Sequence, residues 1–104
     1  MERIEKLKSF LRENSGDSFL KHALALEYVK LGDDMSAREI FEELLISDAA
    51  YVGSYYHLGK LFERLGDEAA AIGIYDQGLE VAKDAGDQHA YRELKAAREA
   101  LSFT

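Results

Sequence analysis

The chain has 104 residues, 13 Lys and Arg against 20 Asp and Glu for a net charge of −7, and no cysteine, proline or tryptophan. That length holds one domain, the missing thiols exclude a cysteine nucleophile, a cysteine-based zinc site and a redox motif, and the acidic balance repels phosphate backbones and anionic lipid. Nucleic acid and membranes are therefore not expected as partners, and no metal or disulfide staple is needed, because 47% apolar residues supply a core at this length.

The opening segment MERIEKLKSF mixes charge with apolar residues, reads as neither a leader nor an anchor, and predicts a first helix over residues 2–13. We expect a soluble, cytoplasmic protein. Glycines then punctuate stretches whose apolar residues recur every three or four positions, so the chain reads as all-α. Helices are expected at 18–31, 34–47, 52–65, 68–84 and 88–102 after the first. Ala50 to Tyr56 is rich in tyrosine and valine, which also suits a strand, and is read as a helix start. The fifth helix is expected to run about two residues past its repeat unit, and Tyr91, Leu94, Ala97 and Leu101 form one narrow apolar stripe on the sixth.

Sliding the sequence on itself by 34 residues superimposes Leu24 on Leu58, Leu31 on Leu65, Gly32 on Gly66, Asp33 on Asp67, Ala37 on Ala71, Ile40 on Ile74 and Leu45 on Leu79. The shift also pairs Tyr28 with Phe62, Phe41 with Tyr75 and Ala25 with Gly59. Within a unit, Lys21, Leu24, Ala25 and Tyr28, or Tyr55, Leu58, Gly59 and Phe62, lie on one face of a first helix, with a small residue that admits a second helix closely. Gly32 and Gly66 stop that helix at a position suited to positive φ, and the next aspartate caps the following helix. Ala37, Ile40, Phe41, Leu44 and Leu45 then face the first helix, as do Ala71, Ile72, Ile74, Tyr75 and Leu79 in the next unit.

The spacing aromatic-x2-Leu-Gly-x2-aromatic, followed by Ala-x3-aromatic, at a 34-residue period resembles the tetratricopeptide repeat. Tyr55, Leu58, Gly59, Phe62, Ala71 and Tyr75 carry the resemblance in the second unit, and Leu24, Ala25, Tyr28, Ala37 and Phe41 in the first. Three residues depart from the pattern in two ways: Ala49 and Lys83 replace the usual proline, and Lys21 replaces the first aromatic. The resemblance implies a single domain over 1–104, a short right-handed α-solenoid: a truncated N-terminal repeat at 1–17, full repeats at 18–51 and 52–85, and a capping helix at 86–104.

No catalytic constellation is found, and no enzyme activity or cofactor is expected. His22, His57 and His89 never pair at helical spacing, which gives no two-histidine metal face. Asp33-Asp34 and Asp67-Glu68 follow glycine stops and read as helix caps, not as calcium ligands. The glycines are too far apart for a phosphate cradle. Glu39, Glu42, Glu43, Asp76 and Glu80 read as a solvated outer face of the second helices.

A second stripe runs beside the packing stripe of each first helix. Phe19, His22, Leu26 and Val29 form it in one repeat, and Gly53, Tyr56, Lys60 and Glu63 in the next. In the resembled family such stripes line a concave groove that holds a peptide. The implied groove residues are Phe19, His22, Leu26, Val29, Tyr56, Lys60, Glu63, Arg64 and Arg92, with His89 and Ala96 as additions from the last helix. Tyr56 is the expected aromatic anchor, and Lys60, Arg64 and Arg92 the selectors of acidic groups. Some family members clamp a terminal carboxylate with lysine and asparagine; His22, Leu26 and His57 at the matching positions disfavour that ligand. The expected function is a non-enzymatic module that binds a protein or peptide. A second reading is self-association end to end or through the first helix, where Ile4, Leu7, Phe10 and Leu11 have little polar cover.

Overall fold

Three turns of this chain are built alike, and they set its helices. In the computed structural model, which describes residues 2–102, Gly32, Gly66 and Gly86 have φ of 79°, 80° and 69°. At the first of these turns the Gly32 N–H donates to the Val29 carbonyl and the Asp33 N–H to the Tyr28 carbonyl, 3.0 and 2.9 Å. Gly66 and Asp67 repeat the pattern on Glu63 and Phe62, and Gly86 and Asp87 repeat it on Lys83 and Ala82. Each glycine thus closes a helix through a left-handed residue that satisfies its last carbonyls. The following aspartate then opens the next helix, because Asp33, Asp67 and Asp87 accept from the N–H groups of Ser36, Ala70 and Ala90 at 3.0 to 3.1 Å. Asp17 does the same for Leu20 at 3.0 Å without a left-handed glycine before it.

Six helices result, with no strand among the described residues: α1 (Glu2–Glu13), α2 (Ser18–Lys30), α3 (Asp34–Ser47), α4 (Gly53–Arg64), α5 (Glu68–Ala85) and α6 (Gln88–Ser102). The bounds fall within a residue of those expected. Leu31 and Leu65 lie just past the last helical residue because the turn begins there. Tyr51 and Val52 precede α4, which has no side-chain cap; the Tyr55 hydroxyl instead donates to the Ala49 carbonyl at 2.7 Å and so fastens the loop. Met1, Phe103 and Thr104, included in the expected domain, lie outside the described residues.

The chain divides into two compact units, Met1–Asp48 and Ala49–Thr104. In the first, α2 and α3 form the hairpin and α1 lies on α2. Ile4 and Leu7 of α1 are buried with Leu24 of α2, and Leu11, Leu20, Ala23, Tyr28 and Ile40 pack around them. The expectation that α1 leaves its apolar side bare holds for Phe10, which is exposed, but not for Ile4 and Leu7. Ser18 at the start of α2 donates to the Asp48 carboxylate at 2.6 Å, which ties the two ends of the hairpin together. Lys21, in the place of the missing aromatic, keeps its stem buried and reaches Glu43 at 3.7 Å.

In the second unit α4 pairs with α5, and α6 packs on both. Tyr55, Leu58, Phe62, Ala71, Tyr75, Leu94 and Ala97 are buried, with Tyr91 and Leu101 half-buried on the expected stripe of α6. The close approach expected at Gly59 is present. A Cβ there would stand 2.1 Å from the Tyr75 ring, so the ring occupies the space a side chain would need. Gly78 has the same role on α5, where a Cβ would stand 2.7 Å from the Tyr55 Cβ. Ile72, Ile74 and Leu79, expected in the facing stripe, are half-buried at its margin.

Two glycine substitutions of opposite sign test this packing. Gly59→Ala drives a methyl group into a buried ring and is expected to cost about 1–3 kcal/mol in unfolding free energy by overpacking. Gly73→Ala, on the exposed side of α5 with nothing within 4 Å, is expected to gain about 0.5–1 kcal/mol from backbone entropy. Asp67→Ala, which removes the cap of α5, is expected to cost about 1 kcal/mol. Urea unfolding followed by circular dichroism measures all three.

Candidate functional site

The outward stripe of α4 is placed by the packing stripe next to it. With Tyr55, Leu58, Gly59 and Phe62 held inward, helical geometry turns Gly53, Tyr56, Lys60 and Glu63 toward an adjoining face. The Lys60 ammonium lies over the Tyr56 ring, 5.6 Å from its centroid, and 3.7 Å from the Glu63 carboxylate. Glu63 is held from the other side as well, because the Tyr75 hydroxyl donates to its Oε2 at 2.5 Å. Burial first, and then the carboxylate it donates to, push the Tyr75 hydroxyl far above the ordinary phenol value, so it remains a donor at every relevant pH.

Tyr56, Lys60, Glu63 and Tyr75 therefore form one connected row, from the core of the hairpin to its surface. His57 lies beside the row, its ring edge-on to Tyr56 at 5.6 Å between centroids. Burial holds His57 below the usual imidazole value, Glu93 of α6 opposes that shift, and Arg64 adds to it. Arg64 and Arg92 are exposed, and the Arg92 guanidinium donates to the Gln88 side chain at 3.4 Å. His89 and Ala96 of α6 are exposed too.

The corresponding stripe in the first unit has a different chemistry. Phe19 at the start of α2 is 66% exposed, while His22, Leu26 and Val29 are half-buried. His22 is not a bare surface imidazole, since its ring meets Phe41 edge-on at 5.8 Å. The stripe is thus an apolar one with a histidine seated in it.

The structure places these residues as two faces, one on α2 and one on α4, and brings together Tyr56, Lys60 and Glu63 on the second. The tie from Tyr75 to Glu63 was not anticipated: the sequence puts Glu63 in the implied groove stripe of α4 and Tyr75 in the packing stripe of α5. A signal for it was present, because the 34-residue shift sets Val29 against Glu63 and Phe41 against Tyr75. Hydroxyl and acceptor are both present in one repeat and both absent from the other. Also unforeseen was a groove of about 490 Å³ between the end of α5 and the start of α6, with Lys83, Arg92 and Lys95 around Tyr91.

Known proteins carry the same architecture. Residues 52–84 match the family model for the tetratricopeptide repeat. A crystal structure of a tetratricopeptide repeat domain protein from Salinibacter ruber superposes with a TM-score of 0.80 at 45% identity, covering 83% of this chain and 96% of that one. The type III secretion translocator chaperone SycD of Yersinia enterocolitica shares the fold at a TM-score of 0.89 but only 13% identity, over 98% of this chain and 71% of that one. A TPR repeat-containing protein of Pseudomonas aeruginosa is 31% identical over 91 residues, 88% of this chain and 87% of its own length. With the doubled Gly-Asp turns, the small residue under the facing aromatic and this level of identity along most of its length, the chain belongs to the tetratricopeptide repeat family.

Proposed function

We propose that the protein is a non-enzymatic scaffold that binds a segment of another protein through the outward faces of its first helices. The observation that carries this reading is the row Tyr56, Lys60 and Glu63 on α4. Its members are fixed by each other and by the Tyr75 hydroxyl behind them, so little side-chain freedom is lost when a partner docks. A half-buried aromatic ring with a polar border is the composition of an interface hot spot. Tyr56 is the anchor. Arg64 and Arg92 select acidic groups, whereas Lys60 is engaged with Glu63 and contributes chiefly by covering the Tyr56 ring.

On α2, the exposed Phe19 with Leu26 and Val29 offers apolar contact. His22 is carried there by Phe41, so its expected part in binding is as the edge of that apolar surface. The fold supports the scaffold reading in general terms, since the Yersinia relative in shape is described as a chaperone. No helix among the described residues is long and apolar enough to cross a membrane. The reading that α1 mediates self-association loses support from the burial of Ile4 and Leu7.

Tyr56→Ala is expected to weaken the partner at least several-fold in a titration with helicity and unfolding midpoint unchanged. Phe19→Ala tests the α2 face in the same way. Unchanged affinity in both variants would refute the assignment.

A further inference from the structure

The groove at the end of the second unit is built from a repeated position put to a new use. Setting Tyr91 on Tyr55 places Leu94 on Leu58 and Lys95 on Gly59. On α4 the Tyr55 and Gly59 side receives α5 in close contact, with Tyr75 against Gly59 and Gly78 against Tyr55. On α6 the same side carries a lysine, which no apolar helix could approach as α5 approaches α4. Buried Ala82 and half-buried Tyr91 line this groove together with Gly86, Asp87 and Gln88, and so do Lys83, Arg92 and Lys95. No carboxylate among the described residues pairs with these three cations, and the nearby Asp87 is engaged in capping Ala90. In a chain of net charge −7 that concentration of cations in a groove also lined by apolar residues calls for an apolar knob bordered by carboxylates.

The chain itself carries such a knob. Ile46 on α3 is 87% exposed, the most exposed large apolar side chain among the described residues, where the second repeat has Glu80. Glu39, Glu42 and Glu43 lie three to seven positions before it on the same side of the helix. Glu42 and Glu43 touch Arg38 and Lys21, at 3.3 and 3.7 Å, and their own side chains are substantially exposed. A solvated acidic face explains the glutamates but not the isoleucine among them. The first helix is a poorer occupant of the groove, since its Phe10 is less exposed than Ile46, at 51%, and has Lys6 near it, which would set cation against cation.

We propose that the protein associates with a second copy of itself, with Ile46 and the glutamates of α3 from one molecule seated in the Tyr91 groove of the next. The two surfaces differ, so each contact joins the knob of one molecule to the groove of another. It uses neither the α2 stripe nor the α4 row and shares only Arg92 with the partner-binding reading, so its failure leaves Tyr56 and Phe19 as anchors of that reading intact.

Sedimentation equilibrium of the full chain, from micromolar to millimolar concentration at low and high salt, tests the contact. The expected result is a weight-average mass that at least doubles with concentration at low salt and falls back at high salt. Ile46→Lys and Lys95→Glu each place like charge against like at an exposed position, and each is expected to remain monomeric with an unchanged circular dichroism spectrum. Mixed together, the two variants retain one intact groove and one intact knob, so they are expected to form a dimer and nothing larger. A wild type that stays monomeric at low salt overturns the proposal. So does association that persists in both variants, or a mixture that fails to dimerise.

Discussion

The hairpins depend on how near two helices can come. At Gly59 the partner ring lies where a Cβ would be, and at Gly78 the Tyr55 side chain nearly does. Two glycines on facing helices, each under the other's tyrosine, give α4 and α5 an interlocked seam. The cost of two interior glycines, about 1 kcal/mol each, is offset by burying two aromatic rings that larger residues would have held apart. In the first unit the same places are taken by Ala25 and Leu44 opposite Lys21 and Phe41, a seam with one small residue instead of two.

Much of this was legible because its signals are local. A glycine followed by aspartate defines both the end of one helix and the start of the next within a handful of residues, and neither act needs a tertiary neighbour. The 34-residue period then assigns a partner to each helix without further calculation. What could not be read from local pattern is contact that depends on distance between helices. The role of Gly78 has no local mark, because it depends on Tyr55 and Leu94, which lie against it from two other helices. Ile4 and Leu7 looked uncovered because the residues that cover them lie on α2, beyond the reach of a pattern in α1. Glu63 could be placed in the outward stripe of α4, but not its bond to Tyr75, because that donor lies on another helix.

Divergence between the repeats is where their surfaces acquire difference. Replacing Phe41 by Tyr75 adds one hydroxyl to a buried ring, and a buried hydroxyl requires an acceptor. Glu63 supplies it where the first repeat has Val29, and Lys60 then stands where the first repeat has Leu26. One polar atom in the core is thereby linked to the change from an apolar stripe on α2 to a charged row on α4. The two faces share a backbone arrangement and present different chemistry, as binding surfaces grafted on a repeated scaffold do.

The distribution of charge follows the same division of labour. Arg3 and Lys30 meet Glu27, Arg38 meets Glu42, Lys60 meets Glu63 and Arg98 meets Asp76, all at partly or wholly exposed positions. Pairs of that kind contribute about 0–1 kcal/mol each, too little to explain why the fold holds. Their larger effect is on what the surface offers. Each pair removes a cation from an acidic molecule's outward field, so the cations left without a carboxylate at Lys83, Arg92 and Lys95 stand out against their surroundings. Packing determines where the helices lie, and the placement of unpaired charge then distinguishes one helix face from the next.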